Sequence, residues 1–96
     1  MGAYMLLDLD VRDAADFDAY REAVPSLIAK HGGEYLVRGG DFEVTEGNWQ
    51  PHRLVLFRFP DRGKIRAFFA DPEYAELLAL LKRTCESVVI AVDGVA

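Results

Sequence analysis

Residues 53–59 (Arg-Leu-Val-Leu-Phe-Arg-Phe) and 87–93 (Ser-Val-Val-Ile-Ala-Val-Asp) read as strands that are apolar on both faces. Along the first, Val55, Phe57 and Phe59 point one way, and Leu54 and Leu56 the other. Along the second, Val88, Ile90 and Val92 oppose Val89 and Ala91. A strand in a sheet wetted on one side alternates apolar with polar residues; one that does not alternate has to be covered twice. The chain has 96 residues, which predicts a single domain over 1–96. A chain this short buries only about 60–65% of its unfolded surface when it folds alone. One cover is expected from its own helices and the other from a second subunit.

The remaining segments complete the pattern. Residues 4–11 alternate as a strand, with Met5, Leu7, Leu9 and Val11 on one face and Tyr4, Leu6, Asp8 and Asp10 on the other. Asp13 is placed to cap a helix whose stripe is Phe17, Tyr20, Val24, Leu27, Ile28 and His31. Pro25 removes one hydrogen bond inside that helix and predicts a kink; Gly32-Gly33 ends it. Residues 34–38 form a second strand, Gly39-Gly40 a bend or bulge, and residues 42–46 a resumed extended segment. After a loop over residues 47–52 and the strand at 53–59, Asp61 caps a helix that turns Ile65, Phe68 and Phe69 inward. Asp71-Pro72 restarts it, with Tyr74, Leu77, Leu78, Leu81 and Cys85 on one face. The order β-α-β-β-α-β is the ferredoxin-like plan, α+β, with helices on one face of a four-stranded antiparallel sheet. The bare face predicts a homodimer packed sheet to sheet. The alternative is a monomer that holds a lipid-like ligand there.

Several classes are excluded by what the residues lack. Sixteen acids against eleven bases give a net charge of −5, which disfavours a nucleic-acid surface. No apolar run approaches the roughly 20 residues of a membrane span. Met1-Gly2-Ala3-Tyr4 carries no basic region of a secretory leader, and Leu6 stands where a myristoylation motif wants Ser or Thr. The single Cys85 admits no internal disulfide and points to the reducing cytoplasm. His31 and His52 have no partners at metal-site spacing, and no dinucleotide, P-loop or serine-hydrolase signature occurs. No metal or cofactor is expected.

Four stretches stand out: Ala-Tyr-Arg-Glu-Ala-Val-Pro around Tyr20 to Pro25, His31 through Gly40, Glu43-Val44 through Glu46-Gly47-Asn48-Trp49, and Asp71-Pro72-Glu73-Tyr74. Together they resemble the family called domain of unknown function 1330. The resemblance covers nearly the whole chain and is most specific from His31 to Trp49. It implies the dimeric α/β-barrel superfamily, in which two ferredoxin-like protomers join their sheets into a barrel. It implies no single activity. That superfamily spans cofactor-free monooxygenases, muconolactone-type isomerases, haem proteins of the chlorite dismutase type and stress-response proteins, and fold kinship of that breadth selects none of them.

Arg38 leads the candidate ligand-binding residues. The glycines after it let backbone approach a ligand, and a guanidinium grips a carboxylate or enolate with two bonds. An ion pair to Asp8, Asp10 or Glu46 is its structural alternative. Trp49, His52 and Arg53 sit on the loop before the third long strand, where Trp49 offers an aromatic wall, His52 a base and Arg53 a second cation. Tyr20 and Tyr74 lie on helical stripes and serve either the core or a pocket. Asp8 is expected to pair with Arg58 if the two share a sheet face; unpaired, it is a candidate proton acceptor. His31 is a helix-capping residue first, and a haem ligand only by analogy with the haem-binding relatives. Cys85 reads as a small core hydrophobe. Two functions follow. One is a metal-free enzyme or binder that takes an anionic or enolisable metabolite in the sheet–helix cleft. The other is a non-catalytic homodimeric metabolite-binding or stress-response module.

Overall fold

The computed structural model describes residues 2–95; Met1 and Ala96 lie outside the described residues. Seven elements follow in order: β1 (Ala3–Val11), α1 (Ala14–Lys30), β2 (Glu34–Arg38), β3 (Leu54–Phe59), α2 (Arg62–Ala70), α3 (Pro72–Thr84) and β4 (Cys85–Asp93). They build a ferredoxin-like fold. The sheet is antiparallel throughout, in the order β2-β3-β1-β4.

The caps fall where the sequence places them. Asp13, Asp61 and Asp71 each accept a backbone N–H from the first turn of the helix they precede. Helix α1 runs unbroken through Pro25. Ala3, Met5, Leu7, Leu9, Val55, Phe57 and Phe59 face the helices and are buried against Phe17, Val24, Ile28, Ile65, Phe68 and Leu81. Register aligns the opposite face in rows. Leu56, Leu6 and Ile90 lie side by side, flanked by Arg58–Tyr4–Val92 and Leu54–Asp8–Val88. Val88, Ile90 and Val92 remain 50–57% exposed, so the apolar open face read from the sequence is present.

Three local expectations are corrected. Residues 42–46 form no strand: Phe42 and Val44 are exposed, and the segment joins no ladder. Cys85 opens β4 instead of closing the helix before it, and it pairs with Val11. Phe69 is 39% exposed, while Phe68 is buried. The Phe68 ring packs with Tyr74, Phe69, Phe59 and His31.

Asp71 is a junction as well as a cap. Its Oδ2 accepts from His31 Nε2 at 2.8 Å and meets Lys30 Nζ at 2.9 Å, while Oδ1 accepts the Glu73 N–H. This ties the end of α1 to the start of α3. The Lys30 ammonium, the Glu73 N–H and the His31 ring hold the Asp71 carboxyl well below the usual carboxylate range. The stability it contributes is complete above the unfolded value of about 3.9 and is lost as pH falls through the lower folded value. Asp71→Asn is expected to lower the urea midpoint at neutral pH and to flatten its decline in acid. A variant whose midpoint falls in acid as steeply as the parent's would show that other carboxylates set that limb.

Candidate functional site

Between the sheet and α1 lies a shallow cleft, partly open to solvent, with a cavity volume of about 30 Å³. Its sheet wall is Leu7, Leu9, Val55 and Phe57, and its helix wall Phe17, Tyr20 and Val24. Arg21, Arg38 and Arg53 line it too, and among the described residues no carboxylate does. Arg21 is neutralised by Asp18 at 2.9 Å on its own helix. Arg38 and Arg53 enter no ion pair among the described residues.

Arg38 reaches the cleft through a β-bulge. Glu34 stands opposite Arg58 and Tyr35 opposite Phe57; the register then shifts, so that Val37 faces Leu56 and Arg38 faces Val55. Tyr35 and Arg38 are three residues apart, which in a regular strand puts them on opposite faces. The extra residue of the bulge brings both to the helix side, with the Arg38 guanidinium 4.6 Å from the Tyr35 ring centre. The bulge lies between Tyr35 and Val37, ahead of Gly39-Gly40, and Gly39 itself forms the bend read from the sequence. Arg38 Nη2 also donates to the Arg21 carbonyl at 3.4 Å. Within an α-helix that carbonyl would accept from residue 25, and Pro25 has no N–H to give. The proline therefore frees an acceptor at the cleft, and Arg38 uses it. None of the expected partners Asp8, Asp10 or Glu46 pairs with Arg38.

Arg53 comes from the other side of the same ladder. Its guanidinium lies over Gly39, where a Cβ would collide with it, and 5.9 Å from the Phe17 ring centre. Gly39 has φ +69°, a conformation glycine adopts freely. Arg53 Nε is buried with no hydrogen-bond partner among the described residues.

The two tyrosines divide. Tyr20 lines the cleft, and its hydroxyl meets that of Tyr74 at 3.2 Å. Tyr74 itself is buried in the aromatic cluster around Phe68. Burial, then the neighbouring Tyr74 phenol, pushes Tyr20 far above the usual phenol range. Burial also raises Tyr35, against the lowering pull of Arg38 and Arg53. At neutral pH the cleft thus presents cations and protonated phenols.

Asp8, Trp49 and His52 assemble elsewhere, on the open-face side of the sheet. Asp8, 8% exposed, accepts from Trp49 Nε1 at 3.1 Å and from the His52 backbone N–H at 2.8 Å, so it fastens the loop that precedes β3. Asp8 and Arg58 do share the open face, but they stand on rows four residues of β1 apart, and Arg58 pairs with Glu34 at 3.5 Å. The His52 ring is exposed beside Asp8 and Asp10, at 3.9 Å from each. Among the described residues no three His, Cys, Asp or Glu side chains are grouped to hold a metal.

The structure brings the sequence candidates Arg38, Arg53 and Tyr20 to one cleft, together with Phe17, Tyr35 and the Arg21 carbonyl, which the sequence did not single out as site groups. The position of Pro25 four residues after Arg21 was the available signal for that last group.

No helix of the described residues is long and apolar enough to cross a membrane. A search of curated proteins finds no match. Among solved structures, a protein of unknown function from Rhodopseudomonas palustris is 16% identical, with a TM-score of 0.78, covering 99% of this chain and 83% of its own. SnoaB, described as a cofactor-independent oxygenase from Streptomyces nogalater, is 13% identical with a TM-score of 0.69, covering 99% and 94%. A protein described as dimeric and ferredoxin-like, of unknown function, from Jannaschia sp. CCS1 is 14% identical with a TM-score of 0.66, covering 98% and 100%. At these identities the likeness is one of fold. The sequence match is of another kind: residues 2–95 fit the family described as domain of unknown function (DUF1330), and the chain belongs to that family.

Proposed function

We propose that this protein is a homodimeric small-molecule binder whose sheet–helix cleft takes an organic anion. The observation that carries the reading is the pair Arg38 and Arg53, two guanidiniums on an apolar cleft that no carboxylate of the described residues lines. Arg53 Nε is buried with no partner among the described residues; an unpaired buried donor is costly, and an anion from solution would relieve that cost. Forked donors favour planar, bidentate oxyanions such as carboxylates and enolates. The proton-transfer version of this function has less support. Its base would be His52 or Asp8, and both stand on the other side of the sheet, while the phenols of the cleft stay protonated. The dimer is supported by the open face, where Leu6, Leu54, Leu56, Val88, Ile90 and Val92 form one apolar surface, and by the assembly described for the Jannaschia neighbour.

A thermal-shift series with small carboxylates tests the cleft. A carboxylate at 100 times its dissociation constant adds about 2.7 kcal/mol, or roughly ten degrees in a domain of this size. Arg38→Met and Arg53→Met are each expected to weaken binding about 10- to 100-fold, the range for a charge-assisted hydrogen bond. A midpoint indifferent to every carboxylate, or a shift preserved in the double variant, would sink the reading.

A further inference from the structure

We infer that two copies of this chain meet about a two-fold axis that seats β4 of each protomer on β2 and the arm after it, residues 39–53, of the other. The arrangement rests on the homodimer proposed above and adds which surfaces touch. Apart from Phe69, every exposed large hydrophobic residue among the described ones lies in one of two places. One is β2 and the arm, with Val37, Phe42, Val44 and Trp49; the other is β4 and the tail behind it, with Val88, Ile90 and Val92. The sheet order puts β2 and β4 at opposite edges. β4 is a nine-residue edge strand whose stretch from Val88 to Val92 holds no charge and no proline. Such an edge takes a second chain unless something covers it.

The arm is built to receive it. Asp8 fastens its base through Trp49 and His52, and Phe42, Val44, Trp49, Pro51 and Leu54 line a hollow of about 200 Å³. Leu54 also stands in the open-face row Leu54–Asp8–Val88, so the hollow continues the face on which the protomers pack. Symmetry then selects the arrangement. A two-fold axis along the strands, between β3 and β1, exchanges the two edges of the sheet. Each β4 falls on the partner's β2 and arm, and both apolar places are covered in one closed pair. An axis across the strands would instead stack β4 on its own copy. It would carry each arm to the far end of the partner's β2, where Glu34 pairs with Arg58, and Phe42 and Val44 would meet charge in place of apolar surface.

Sedimentation and tryptophan fluorescence of the full chain test this. Val44→Asp changes an exposed arm residue that joins no ladder. It is expected to raise the dissociation constant of the dimer about a hundredfold or more, because a lost aliphatic contact counts twice in a symmetric pair. Circular dichroism checks its fold, and Phe42→Asp on the same arm replaces it if it fails to fold. Trp49 is the chain's single tryptophan and needs no substitution. Its emission is expected to shift to the red, and its quenching by acrylamide to increase, as the parent is diluted from dimer to monomer. A parent that sediments as a monomer at micromolar concentration would overturn the homodimer and this arrangement together. A dimeric parent whose Trp49 emission ignores dissociation, or a folded arm variant that dimerises as tightly as the parent, would overturn the arrangement and leave the homodimer standing.

Discussion

Ile90→Asp is expected to turn the protein into a monomer. Ile90 ends the row Leu56–Leu6–Ile90 that crosses the open face of the sheet, and it is half exposed in the single chain. If two such faces pack together, each aliphatic side chain buried there contributes at most roughly 1.5–3 kcal/mol. An aspartate in its place forfeits that and adds an unpaired charge to the interface, at a further cost of several kcal/mol. A loss of about 3 kcal/mol already weakens association more than a hundredfold, and the substitution is repeated in both subunits of a symmetric pair. Light scattering at micromolar concentration should give twice the 10.7 kDa chain mass for the parent and the chain mass for the variant. A parent that scatters as a monomer, or a variant that keeps the dimer mass, refutes the sheet-to-sheet assembly. The parent's unfolding midpoint should also rise with protein concentration, as it does for any oligomer that dissociates on unfolding.

Phe68→Ala is expected to produce the largest loss of stability from a single truncation. The ring is 1% exposed and lies 4.3 Å from Tyr74, 5.3 Å from Phe69 and about 6 Å from Phe59 and His31, centre to centre. It therefore joins α2 to β3, α3 and the end of α1 at once. Truncating a buried phenylalanine costs about 3–5 kcal/mol, a large share of the roughly 5–15 kcal/mol that holds a domain of this kind together. Tyr74→Phe is the matched control. It keeps the packing and removes only the hydroxyl contact with Tyr20, for about 1 kcal/mol. Urea midpoints decide between them: comparable losses in the two variants would mean that the hydroxyl pair, and not the aromatic packing, holds this corner.

The fold was legible because its signals are local and repeated. Strand alternation in 4–11 and 53–59 named the buried face correctly, and three aspartates marked the three helix starts. Residues 42–46 misled because alternation reports which side chains share a face, not whether a neighbouring strand is there to accept the hydrogen bonds. The site was legible only in part. Arg38 stood out through charge beside glycine and Arg53 through its place on the loop before β3, but whether Arg38 faces the helices depends on a register shift in β2 that has no sequence signature of its own. Asp8, Trp49 and His52 looked like companions of that pair. They are instead joined to one another across more than forty residues of chain, on the other side of the sheet. The Asp71 junction went unread for a similar reason, since Asp-Pro before a helix announces the cap and gives no hint of Lys30 and His31.

The bulge in β2 has a consequence for how this strand tolerates changes in length. Because two residues stand there against one, the strand holds a spare position between Tyr35 and Arg38. Deleting Leu36 would straighten the ladder and leave both the ring and the guanidinium on the cleft side. Adding a residue at the same place, by contrast, would ask the sheet to absorb a second irregularity or surrender the cation to the opposite face. The charge of the cleft is thus protected against shortening of β2 and vulnerable to lengthening, an asymmetry that a comparison of side chains position by position would not reveal.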